Sequence, residues 1–263
     1  MKEYTITIMN STHLETDMKV FVMLPKSYYK SQKSYPVLYM HDGQNLFDEK
    51  LSYNGTTWGI AEAYENYPEL PEVIVVGIET EGDFRTDVLV PFTFSFDEVG
   101  MPEFGDKPVG GKTDQYLSFI TKELKPFIDK KYRTFKNPKN TAIMGSSFGG
   151  VCSTYAALKY TDYFSRFGCV SNAYYVIQEE LENLAKNANM SGVKKLYMDV
   201  GTKESSRDIE SAQYIESNNR IYQILKDKMN HELIKLEIVK DAVHNELAWQ
   251  ARLPKIIQFL FND

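Results

Sequence analysis

Apolar positions along the chain follow two periods. Over residues 3–9 they alternate, with Tyr4, Ile6 and Ile8 on one face, which predicts an edge strand with one solvated side. Residues 19–24 predict a second strand, stopped by Pro25. From residue 36 the alternation gives way to short runs rich in apolar residues at 36–40, 72–78, 141–144, 164–170, 195–200 and 233–240. Such β-prone runs predict strands buried on both faces of a parallel sheet, with 72–78 central.

Between these runs the period lengthens to that of a helix. A helix is expected to begin over 57–64, with Thr56 or Thr57 as its cap. Residues 113–131 carry Leu117, Ile120, Leu124, Phe127 and Ile128 on one stripe, and Pro126 should kink or end that helix. Further helices are expected over 151–160, 210–229 and 246–261, and a mobile helical cap over 172–190. Residues 79–112 are irregular and dense in Gly, Pro and Phe. A loop that long, leaving a central strand, is expected to be functional, because open α/β sheets place their sites there. The order predicts an α/β fold with a mostly parallel central sheet, antiparallel N-terminal strands and helices on both faces.

Composition narrows the function classes. The 263 residues are 43% hydrophobic and 25% charged, consistent with one domain over 1–263. A formal net charge of −6, with no basic run to reverse it, argues against nucleic acid and anionic membranes as partners. Two cysteines, Cys152 and Cys169, do not make a disulfide framework. With no signal-peptide pattern and no apolar span of membrane length, a cytoplasmic location is expected.

The chemistry centres on Gly145-Ser146-Ser147-Phe148-Gly149-Gly150, a G-x-S-x-G motif between a predicted strand and a predicted helix. That turn holds a serine in a strained conformation, with its hydroxyl clear of the sheet and a helix N-terminus beside it. A serine hydroxyl needs a base, and the base needs an orienting acid. In this context both follow the serine, acid first. Of four histidines, His13 and His41 precede it, and His231 is explained by a helix end. His244, between the last strand and last helix, is the candidate base. Glu204, in the turn after the strand at 195–200, is the candidate acid. Asp208 is the second choice, and Asp199 is expected to be a buried strand residue. The oxyanion hole should be built from the backbone N–H groups of Phe148 and Gln44, with Gly43 allowing the second loop an unusual turn. His41 and Asp42 could be read as metal ligands, but no second cluster has ligand spacing. They are expected to fix this loop by hydrogen bonds, with no metal and no cofactor.

The chain also resembles the putative esterase family of α/β-hydrolases, which includes esterase D-type, feruloyl and enterochelin-type esterases. The resemblance rests on residues 41–47 (HDGQNLF), Arg85, Gly110-Gly111, Tyr116, Phe119, Glu123-Leu124, Pro126, residues 132–134, the motif at 145–150, and residues 244–246 with Trp249. It implies a cofactor-free serine carboxyl-ester hydrolase with Ser147 as nucleophile, His244 as base and an acid after the seventh strand, where Glu204 stands. Arg85, Trp58 and Tyr174 are expected to meet substrate, with Phe84, Phe92, Phe94, Phe96 and Tyr175 as further candidates for an apolar acyl or aryl site. The expected substrates are short or medium acyl or aryl esters. An acyltransferase, a thioester or siderophore-lactone hydrolase, and a catalytically dead binding or scaffold protein are the alternatives. The expected partner is a small-molecule ester, with a homo-oligomer left open.

Overall fold

The structure, a computed structural model, describes residues 4–262. Glu3, which the sequence places in the first strand, lies outside the described residues. Among those described, eight strands form one sheet: β1 (Tyr4–Ser11), β2 (Thr16–Met23), β3 (Val37–Met40), β4 (Ile74–Ile78), β5 (Thr141–Ser146), β6 (Arg166–Val170), β7 (Lys195–Lys203) and β8 (Ile234–Val243). Their order is β1-β2-β4-β3-β5-β6-β7-β8. β1 pairs antiparallel with β2, and β2 with β4; every later pairing is parallel.

The apolar runs are continuous because both faces are covered. Successive strand residues point to opposite sides: Val37 and Tyr39 enter one core, Leu38 and Met40 the other. The first core takes α3 (Thr113–Ser118), α5 (Phe148–Lys159), α6 (Gln178–Asn187) and α7 (Asp208–Lys226). The second takes α1 (Ile60–Asn66) and α8 (Glu246–Phe261), through Ile60, Leu253, Ile256 and Leu260. A mixed sheet with helices on both sides is the α/β-hydrolase arrangement.

Several expectations are corrected in detail. The first helix starts at Ile60, after Gly59 in a left-handed conformation, and Thr57 Oγ1 accepts from the Gly59 N–H at 3.1 Å, two residues too early to cap the helix. Residues 79–112 are not wholly irregular: they hold α2 (Gly82–Leu89) and a Phe94–Val109 bridge. Pro126 does not end the helical run. A π segment, Phe119–Leu124, runs directly into α4 (Lys125–Lys131), and Pro126 is the second residue of α4, just past the point where the helix has widened. The 172–190 segment is anchored through buried Leu181 and Ala185 rather than riding loose on the surface.

Candidate active site

The elbow follows from local sterics. β5 ends at Ser146, and Ser147 takes φ 58°, ψ −121°, a conformation that costs a non-glycine residue about 1–3 kcal/mol. The turn is held by the Ser147 N–H donating to Val170 O at 2.9 Å. Gly145 is required by close approach, since a Cβ there would lie 2.7 Å from His41 Cδ2 and 2.9 Å from the Gly149 carbonyl carbon. α5 begins at Phe148, whose N–H is one of the donors that a helix start leaves open.

Glu204 and His244 are brought together by strand register. β7 and β8 pair Gly201 with Val239 but Lys203 with Val243, so β8 bulges between these positions and Asp241 takes φ 60°. The bulge puts the residue after each strand beside the other. Glu204 Oε2 lies 2.7 Å from His244 Nδ1. Its Oε1 accepts from Ser171 Oγ at 2.7 Å and from the Gly201 N–H. Burial works against the Glu204 charge, but the bonds from His244, Ser171 and Gly201 outweigh it and hold the carboxyl below its ordinary range. Asp208 instead opens α7, exposed to solvent. Asp199 is fully buried in β7, its Oδ1 accepting from the Ser171 N–H.

Ser147, His244 and Gln44 line one cleft of about 820 Å³, together with Arg85, Glu246 and Trp249. Among the described residues the His244 ring is hydrogen-bonded to Glu204 and not to Ser147. Hydrogen bonds of this kind are commonly long before substrate arrives. A second cavity of about 400 Å³, lined by Val99, Met101, Tyr175 and Tyr214, meets the first at His244.

The loop after β3 is built around Asp42. It takes φ 55°, while Gly43 serves a different need from the expected turn: a Cβ there would lie 2.7 Å from the β4 backbone. Asp42 is clamped by Arg85 Nε at 2.7 Å, a second Arg85 nitrogen at 2.8 Å and Thr80 Oγ1 at 2.6 Å. The Gln44 side chain doubles the clamp, its Nε2 donating to Thr80 O at 2.7 Å and its Oε1 accepting from Thr80 N–H at 3.3 Å. The backbone N–H groups of Gln44 and Phe148 pair with no backbone carbonyl among the described residues.

His41 lies beneath the elbow, its Nδ1 2.9 Å from the Tyr116 hydroxyl. Burial lowers its pKa from 6.5 to about 4. Below pH 6.5 the unfolded chain binds a proton here that the folded chain refuses until about pH 4. Stability should therefore fall as pH drops across that window, by about 3 kcal/mol from this group. Urea unfolding at pH 7 and pH 4.5 checks it: His41→Gln, although less stable at pH 7, should lose less on acidification than the native chain. No group of three or more metal-ligating side chains occurs among the described residues.

Of the residues expected to meet substrate, Arg85 lines the cleft, with two nitrogens committed to Asp42. Trp58 and Tyr174 do not line it. Trp58 is 1% exposed and stacked on Trp249 with ring centroids 5.6 Å apart. Tyr174 is 0% exposed and bonds Thr154 Oγ1 through its hydroxyl at 2.5 Å. Phe96, Phe104 and Trp249 supply apolar cleft surface instead, and Tyr175 faces the second cavity. Sequence reasoning missed Ser171, Arg252 and Glu246. Glu246 is buried at the start of α8, where Asn45 and Asn54 each reach it at 3.3 Å. Its sequence signal was its place in the 244–246 stretch that carries the family resemblance, with no role of its own assigned there.

The family described as "Putative esterase" matches residues 11–260. Bacillus subtilis (strain 168) YbbA, described as uncharacterized, is 27% identical over 258 residues, covering 95% of each chain. The ferri-bacillibactin esterase BesA of the same organism is 28% identical over 170 residues, 62% of this chain and 55% of BesA. In fold, the chain is similar to an IroE-like serine hydrolase from Shewanella oneidensis, with a TM-score of 0.76 at 20% identity, covering 98% of this chain and 80% of that one. A match over nearly the whole chain makes the assignment plain: this protein belongs to the putative esterase family and is a hydrolase acting on esters.

Proposed function

We propose that the protein is a serine carboxyl-ester hydrolase in which Ser147 attacks the ester carbonyl, His244 takes and returns the proton, and Glu204 orients His244. The observation that carries this reading is the Glu204 Oε2–His244 Nδ1 contact of 2.7 Å beside a cleft that also holds the strained Ser147. With Nδ1 facing a carboxylate, the imidazole keeps its proton there and presents Nε2 as the base. The backbone N–H groups of Gln44 and Phe148, which pair with no backbone carbonyl among the described residues, supply the oxyanion hole, and the clamp from Thr80 and Arg85 fixes the first of them. The two cavities meeting at His244 accommodate the acyl and alcohol sides of a short or medium acyl or aryl ester. No cofactor enters the mechanism.

The charges of the larger cleft narrow the substrate class. Four carboxylates line it (Asp42, Glu81, Asp83 and Glu246), against the single guanidinium of Arg85, which Asp42 already neutralises. Neutral or cationic esters should therefore be preferred over anionic ones. BesA is named for ferri-bacillibactin, and a lactone hydrolase is the alternative within the family. A panel of 4-nitrophenyl esters, neutral, carboxylate-bearing and ammonium-bearing at matched acyl length, tests both points. At low salt the carboxylate-bearing ester should fall about 5- to 10-fold below the neutral one in kcat/KM, with the gap closing at 0.5 M salt. No turnover above the blank on any ester would sink the hydrolase reading, and a preference for the anionic ester would sink the charge reading. Product esters formed with added methanol would indicate transfer to alcohols.

A further inference from the structure

Behind Glu204 lies a serine that the mechanism above does not use. Ser171 follows β6, is 0% exposed, and takes φ 47°, a left-handed conformation that a residue with a Cβ adopts only when its surroundings hold it there. Its N–H donates to Asp199 Oδ1 at 3.1 Å and to the Asp199 carbonyl at 2.9 Å. Its Oγ has three polar neighbours: Trp249 Nε1 at 3.0 Å, an Arg252 nitrogen at 3.1 Å and Glu204 Oε1 at 2.7 Å. Arg252 is itself buried, with its Nε 3.4 Å from Asp199 Oδ2.

The donor inventory fixes where each proton lies. A serine hydroxyl has one proton and two lone pairs, while an indole N–H and a guanidinium only donate. Trp249 and Arg252 therefore fill both lone pairs of Ser171, and the hydroxyl proton has one place left to go, Glu204 Oε1. That oxygen also receives the Gly201 N–H, so it faces two donors and has no use for a proton of its own. Glu204 is kept as a carboxylate with Oε2 turned to His244. Nδ1 of His244 must then donate, and the Nε2 lone pair is left toward the cleft.

We infer that Ser171 is a positioning residue: locked as a donor by Trp249 and Arg252, it sets the rotation and charge of Glu204 and through it the tautomer of His244. The inference rests on the assignment of Glu204 and His244 as acid and base. It makes Trp249 more than a wall of the cleft, since the indole holds Ser171 through Nε1 while its ring meets the His244 ring edge-on at 5.1 Å.

Two substitutions test it. Ser171→Ala removes the hydroxyl and keeps the strained backbone; Ser171→Gly removes the hydroxyl and relieves it. If the hydroxyl positions Glu204, both should lower kcat on a neutral 4-nitrophenyl ester by about 10- to 100-fold, the range of one hydrogen bond to a charged group. KM should stay within about threefold of wild type. The acid limb of the kcat/KM profile should also move to higher pH, because a carboxylate relieved of a donor holds the imidazolium more strongly. If Ser171 serves only the fold, Ser171→Gly should keep wild-type kcat and an unmoved acid limb whatever its melting temperature, and that result overturns the inference. A wild-type protein with no esterase activity would instead defeat the Ser147–His244–Glu204 reading on which it stands, before either variant is made.

Discussion

Ser147→Ala should lower kcat on a neutral 4-nitrophenyl ester by about 10⁶-fold, the scale seen when the nucleophile of a serine hydrolase is removed. What remains should come from binding and the oxyanion donors, which the substitution leaves in place. Thermal unfolding should move by no more than a few degrees. Alanine meets the same φ of 58° that serine does, and the elbow's closure rests on the backbone bond to Val170 and the room at Gly145 rather than on Oγ. Kinetics and a melting curve on the same preparation separate the two effects. Retention of even a tenth of the wild-type kcat would mean that another group forms the covalent bond or activates water directly.

Glu204→Gln should lower kcat by about 10⁴-fold, the loss the corresponding change produces in a chymotrypsin-type triad. The hydrogen bonds around Glu204 give the reason. Two donors, Ser171 Oγ and the Gly201 N–H, face the inner oxygen, so a glutamine must keep its carbonyl there. Its NH₂ then faces His244 Nδ1 and requires a lone pair at that nitrogen. The ring proton moves to Nε2, which can no longer accept the Ser147 proton. Asp208→Asn should stay within about threefold of wild type, because Asp208 is exposed at the start of α7 and surface charges carry little. The two variants, measured for kcat and thermal melting, exchange roles if the assignment is wrong: near-native Glu204→Gln beside a collapsed Asp208→Asn with an unchanged melting point would move the acid to Asp208.

Much of the candidate site was legible because its signals are local. The 145–150 motif carries its own steric logic, and the turn after a strand and the loop before the last helix are topological positions a sequence marks. The bulge that puts Glu204 opposite His244 was not legible: it depends on Asp241 adopting φ 60° while β8 pairs with β7, a matter of register between distant strands. Ser171 was silent for the same reason. Its partners lie 33, 78 and 81 residues away, and nothing near Ser171 in sequence announces them. Trp58 and Tyr174 were misplaced because an aromatic residue beside a functional segment serves a core as readily as a cleft, and packing against Trp249 and Thr154 decided it. The short α2 was missed because it lies in a Gly- and Pro-rich stretch and buries little beyond Val88 and Leu89. It carries Arg85, whose clamp on Asp42 becomes visible only once the chain is folded.

The central claim is that Ser147 is an activated nucleophile, and covalent labelling with a fluorophosphonate tests it most directly. Intact-mass measurement of the labelled protein should show a single adduct, and peptide mapping should place it on Ser147. The Ser147→Ala chain should take up none, and Glu204→Gln should label far more slowly than wild type, since its imidazole no longer accepts the proton. A native, folded chain that takes up no label, or a Ser147→Ala chain that labels as fast as wild type, would contradict the account.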